Sequence, residues 1–211
     1  MTVSTAAITF VDFPTDKVTL AGNCGVGKTT LFLWFKEGRF VEDVRTVTMD
    51  GEYQKRWHLE EEEEVSMTLF DTAGMECYNP RARINSTYFR RSRVIIFVYD
   101  ISNRDTFDSL SHWEDEALQK TVTRNNIDVV MVLVGNKIDL EDERQVTHSR
   151  ALQFAENFSI PDHLVFEVSA KTGEGVKPMF DEIVKAMRRS GHRHVRSPND
   201  PKNRSRQGCK C

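Results

Sequence analysis

Gly22-Asn23-Cys24-Gly25-Val26-Gly27-Lys28-Thr29 fits the pattern G-x-x-x-x-G-K-[ST]. Lys17 to Leu20 before it reads as a short strand, and Thr29 to Glu37 after it reads as a helix that Gly38 ends. Glycines let backbone fold closely around a polyphosphate, and a helix N-terminus adds positive potential there. The expected phosphate-binding residues are Gly22, Gly25, Val26, Gly27, Lys28, Thr29 and Thr30. Lys28 is placed to act as a point charge on the outer phosphates, and the Thr29 hydroxyl to hold Mg²⁺. The alternative, a glycine-rich turn that binds nothing, has the order strand, loop, helix against it.

Outward from this loop, strand and helix alternate. Glu52 to Glu60 and Val65 to Asp71 alternate apolar with polar residues, as a half-buried hairpin should, around the Glu61 to Glu64 run. That run reads as a solvated hairpin tip, with a cation site as the alternative. Val94 to Tyr99 and Val129 to Val134 are continuous apolar strands, which argues for a sheet covered on both faces. Leu164 to Val168 is the last strand. Helices are predicted over Thr106 to Lys120 (Phe107, Leu110, Trp113 and Leu118 inward), Thr147 to Asn157 (Ala151, Leu152, Phe154, Ala155) and Val176 to Met187 (Phe180, Ile183, Val184, Met187). The expected fold is α/β, a mostly parallel six-stranded sheet with helices on both faces.

The 211 residues suit one such domain and a tail, with 39% hydrophobic and 29% charged residues and a net charge of −3. That charge favours no nucleic-acid partner. Nothing approaches a membrane span, and residues 1–16 lack the pattern of a secretory signal; mixing apolar residues with threonines and broken by Pro14, they read as a loose N-terminal arm. Four cysteines, Cys24, Cys77, Cys209 and Cys211, make no disulfide framework and suit a reducing compartment.

Two later motifs say which nucleotide. Asn136-Lys137-Ile138-Asp139 stands at the C-terminal end of a buried strand, where α/β sheets bind ligands. The Asp139 carboxylate can accept from the N1–H and N2–H₂ edge of guanine, a donor pair that adenine lacks. Ser169-Ala170-Lys171 ends the next strand and can offer a backbone N–H to guanine O6.

With Asp71-Thr72-Ala73-Gly74 between them, these motifs resemble those of the Ras superfamily of small GTPases, over residues 17–189. Tyr88-Phe89-Arg90-Arg91, Val98-Tyr99-Asp100-Ile101 and the terminal Cys209-Lys210-Cys211 are most similar to the Rab branch. The resemblance implies a P-loop NTPase of the Ras-like G-domain kind that cycles between GTP and GDP in vesicle traffic and binds effectors in its GTP state. In that scheme Thr46 is the switch threonine that completes the Mg²⁺ shell, Asp71 holds Mg²⁺ through water, and the Gly74 N–H meets the γ-phosphate. Phe40 is similar to the aromatic that packs on guanine; a core or loop-anchor role is its alternative.

The chain departs from the pattern at four places. Met75 stands where the family has the glutamine that orients the attacking water, so intrinsic hydrolysis is expected to be slow. Cys24 replaces a glycine of Ras-like proteins. Phe40 to Thr46 is one residue shorter than usual, and Thr48 and Phe70 replace a glycine and a tryptophan.

Residues 190–211 lack apolar periodicity and are basic, so a disordered tail is expected. The resemblance implies double geranylgeranylation at Cys209 and Cys211, and two lipids beside basic residues give stable anchoring. The alternatives are idle thiols or a stray metal-binding pair. The implied setting is the cytoplasmic face of intracellular membranes. The implied partners are an exchange factor, an activating protein, effectors, a prenyl-binding escort and a GDP-dissociation inhibitor, for a monomeric protein. Two rival readings are a GTP-binding scaffold that hardly hydrolyses, raised by Met75, and a P-loop small-molecule kinase, opposed by Asp139.

Overall fold

The structure is a computed structural model and describes residues 15–42, 51–59, 63–72, 89–121 and 129–190. Strands β1 (Asp16–Ala21), β2 (Glu52–Leu59), β3 (Glu63–Phe70), β4 (Ser92–Asp100), β5 (Val130–Asn136) and β6 (Val165–Val168) form one sheet in the order β2-β3-β1-β4-β5-β6. β2 pairs antiparallel with β3, Trp57 opposite Val65, while β3-β1-β4-β5-β6 pair in parallel. The predicted six-stranded, mostly parallel sheet is therefore present. β1 takes in Asp16, opposite Met67, one residue before the expected edge of the domain.

Every residue of β4 from Val94 to Asp100 is buried, so helices cover the sheet on both faces. α1 (Lys28–Glu37) buries Leu31, Phe32, Leu33 and Phe35 and ends at Gly38, whose φ of 70° lets its N–H return to the Trp34 carbonyl at 2.9 Å. Phe35 stacks on Trp57 with centroids 5.9 Å apart and meets Phe180 at 5.2 Å. That ring cluster joins α1, β2 and α5 (Val176–Arg189), and truncating Phe35 to alanine should cost about 3–5 kcal/mol.

The helix predicted over Thr106 to Lys120 is instead two, α2 (Arg104–Asp108) and α3 (Leu110–Thr121). The reason is local. Ser109 Oγ donates to the Asp105 carbonyl at 2.8 Å and the Thr106 carbonyl at 3.2 Å, in competition with the helical backbone pattern. Phe107, Leu110 and Trp113 are buried as predicted; the side chain of Leu118 lies outside the described residues. α4 (His148–Asn157) begins after Thr147, whose hydroxyl accepts from the Arg150 N–H at 3.3 Å. The Glu61 to Glu64 side chains are outside the described residues.

Candidate nucleotide-binding site

The phosphate loop joins β1 to α1, and two of its glycines are sterically required. Gly22 has φ +140°, and a Cβ there would overlap the Val98 carbonyl oxygen on β4. Gly27 has φ +96°, and a Cβ there would overlap Asn136 Nδ2. Gly27 is also the N-cap of α1 and brings no side-chain cap, so the first-turn N–H groups are left for an anion. Lys28 is buried and folds back across its own loop, donating to the carbonyls of Gly22 and Asn23, both at 2.8 Å. This double anchor fixes the ammonium over the loop. Trp113 Nε1 donates to Asn23 Oδ1 at 2.8 Å and holds the loop from α3.

Thr29 follows in the first turn of α1. The buried Asp71 follows β3, whose Phe70 is in register with Thr19 of β1. The neighbouring Thr72 Oγ1 donates to the Leu20 carbonyl at 3.0 Å and ties this end of β3 to the entrance of the phosphate loop. A hydroxyl and a carboxylate beside a phosphate cradle are hard oxygen donors and fit Mg²⁺. Thr46, Gly74 and Met75 lie outside the described residues. Phe40 is 38% exposed, which removes its core alternative.

Asn136 and Ser169 organise the other side of the candidate site, where β5 and β6 end. Asn136, 1% exposed at the end of β5, donates from Nδ2 to the Val26 carbonyl at 2.8 Å and accepts at Oδ1 from the Ala170 N–H at 2.9 Å. It is a strut between phosphate loop and base turn, with both ends of its amide engaged. The turn is expected to offer a backbone N–H to guanine, and the N–H of Ala170 is taken by Asn136. Ser169, fully buried, donates from Oγ to Asp139 Oδ1 at 2.6 Å and accepts from the Thr172 N–H at 3.0 Å. Lys171 Nζ is 3.8 Å from Asp139 Oδ2. The Asp139 carboxylate is thus aimed before any base arrives. Lys137 takes the left-handed conformation (φ 71°) and reaches Asp100 Oδ2 at 2.6 Å. Burial alone would raise the Asp100 pKa, but hydrogen bonds from Lys137 and Ser102 hold it below the ordinary carboxylate value.

Three residues of this constellation escaped the sequence reading. Asp100 was noted only as part of a strand end. Arg144 grips Glu167 through both nitrogens of its fork, at 2.6 and 3.0 Å, and Glu141 at 2.7 and 2.8 Å, and also donates to the Val146 carbonyl at 2.9 Å. It clamps the 3-10 turn Ile138–Glu143, which carries Asp139, to the strand that delivers Ser169. Trp34 Nε1 donates to the Ala170 carbonyl at 2.6 Å. Glu141 lies one turn from Arg144, but no local pattern announces the pairs Asp100 with Lys137, Arg144 with Glu167 and Trp34 with Ala170, which are far apart in the chain.

One expectation is corrected at the loop itself. Cys24 is disulfide-bonded, where the four cysteines read as no disulfide framework. Three of the four cysteines, Cys77, Cys209 and Cys211, lie outside the described residues.

A phosphate loop that opens a helix, with a serine-aimed carboxylate at the end of a neighbouring strand, defines a P-loop nucleotide-binding protein. Residues 17–189 match the Ras family. The chain is 32% identical to the Ras-related protein Rab-26 of Bos taurus over 186 residues, which cover 88% of this chain and 68% of that protein. It is 36% identical to the Ras-related protein Rab-18-B of Danio rerio over 178 residues (80% and 77%) and 36% identical to the Ras-related protein RABC1 of Arabidopsis thaliana over 169 residues (80% and 74%). The chain belongs to the Ras superfamily of small GTPases, in its Rab branch.

Proposed function

We propose that this Rab-like GTPase is a GTP/GDP switch of vesicle traffic that reads guanine through Asp139. The observation that carries the reading is the 2.6 Å hydrogen bond from buried Ser169 to Asp139, on a turn tied to the phosphate loop through Asn136. In this reading the loop from Gly22 to Thr30 surrounds the phosphates, and Lys28 supplies positive charge from its anchored position. Phe40 closes over the base. Thr29, Asp71 and Thr46 hold Mg²⁺, which when bound offsets phosphate charge. The Gly74 N–H senses the γ-phosphate, and the loops carrying Thr46 and Gly74 order with it and release after hydrolysis, exchanging regulators and effectors.

Met75 can donate no hydrogen bond to an attacking water, so unassisted hydrolysis is slow and the GTP form persists. That residue also favours the second reading, a GTP-binding scaffold that scarcely hydrolyses. Cys209 and Cys211 carry lipids that, with the basic tail, hold the protein on the cytoplasmic face of intracellular membranes. An escort and a GDP-dissociation inhibitor handle those lipids.

Titration against GTP, ATP and xanthosine triphosphate tests the site. Wild type should prefer GTP, and Asp139→Asn should lose on the order of a hundredfold in GTP affinity while gaining for the xanthine nucleotide. Unchanged GTP binding in the variant would remove Asp139 from base reading. Single-turnover hydrolysis, alone and with an activating protein, separates switch from scaffold.

A further inference from the structure

We propose that Trp34 is a positioning residue for the base turn, and that its bond to Ala170 sets how slowly guanine nucleotide leaves. The proposal rests on the reading of Ser169 to Lys171 as the base-side turn. Trp34 sits on α1, the helix that starts inside the phosphate loop. Its indole N–H donates to the Ala170 carbonyl at 2.6 Å, while the N–H of the same residue donates to Asn136. Gly173, in the same turn with φ +88°, leaves room for the indole: a Cβ there would overlap the Trp34 ring.

These contacts close a circuit. Val26 is held by Asn136, Asn136 by Ala170, Ala170 by Trp34, and α1 returns to the loop through the Leu31 N–H on the Gly27 carbonyl at 3.0 Å. The base turn cannot swing away from the phosphate loop without breaking one of these bonds. Ser169, which aims Asp139, is the residue before Ala170, so opening at Ala170 also releases the base-reading carboxylate. Trp34 touches none of the base-reading groups itself. It therefore governs how often the turn opens and nucleotide leaves, while the closed turn, with Asp139 still aimed by Ser169, keeps its base preference.

The test is release of a fluorescent GDP analogue from the full chain, chased with excess GDP, for wild type, Trp34→Phe and Trp57→Phe. Phenylalanine keeps an aromatic ring at this position and deletes the donor, together with part of the ring that lies against Gly173. Trp57 makes a comparable indole bond, to Asp181 of α5 at 2.9 Å, outside the circuit, and controls for general loss of stability. Trp34→Phe should release about fivefold faster, the worth of one hydrogen bond, with its guanine-over-xanthine preference intact. Trp57→Phe should release at the wild-type rate. A wild-type rate in Trp34→Phe, or acceleration of both variants in step with their melting temperatures, overturns the proposal. Asp139→Asn is run alongside: if it keeps its preference for guanine, the base-turn reading fails first.

Discussion

Lys137 Nζ lies 2.6 Å from Asp100 Oδ2, so the lysine that follows Asn136 is pinned to the end of the neighbouring strand. Asp100 also accepts from the Ser102 N–H at 2.9 Å and hydroxyl at 2.6 Å. Its folded pKa is lowered, so its stabilisation is fully present above the unfolded value of 3.8 and is lost as pH falls through the folded value. Asp100→Asn should cost on the order of 1–2 kcal/mol near neutrality. Denaturant titrations at several pH values should show that cost fading below about pH 4. A cost that is constant with pH would mean the carboxylate charge is irrelevant.

Arg144 should not be replaceable by lysine. A point charge cannot fork onto both Glu141 and Glu167, and the hydrogen bonds that Arg144 donates to both, Glu141 first, keep the guanidinium proton held more tightly than usual. Arg144→Lys should lose about 2 kcal/mol, a melting-temperature drop of roughly 4–8 °C for a domain of this size. Calorimetry checks it, and an unchanged transition would assign the network to surface decoration.

Met75→Gln should speed unassisted GTP hydrolysis by on the order of a hundredfold, by restoring a group that can orient water. Turnover assisted by an activating protein should change much less, since Rab-type activating proteins bring their own glutamine and arginine. Equal unassisted rates in wild type and variant would show that another group orients the water.

Replacing Cys209 and Cys211 by serine should leave GTP affinity unchanged and shift the protein from membranes to the soluble fraction. Intact mass from a prenylating host should show two isoprenoid additions on the wild type and none on the variant. A wild-type chain that sediments with membranes while unmodified would defeat the lipid-anchor reading.

Local chemistry made much of this protein legible in one dimension. Gly22 and Gly27 mark a loop where a Cβ would overlap a neighbouring strand end, and Gly38 marks the end of α1. The unbroken apolar runs of β4 and β5 required a sheet covered on both faces, and the spacing of Asn136, Asp139 and Ser169 put these candidate residues on adjacent strand ends. Each of these is a property of a few neighbouring residues. The partners of long polar side chains are not. Trp34 finds Ala170 across 136 positions, Asn136 finds Val26 across 110, and Arg144 finds Glu167 only because β6 lies beside β5. The break at Ser109 has a related cause: a hydroxyl can share the backbone carbonyls of the preceding turn, and periodicity is blind to that competition. The residue types of the site are a sequence property, while the strut, the clamp and the indole tether that aim them exist only once the sheet order has brought distant strand ends together.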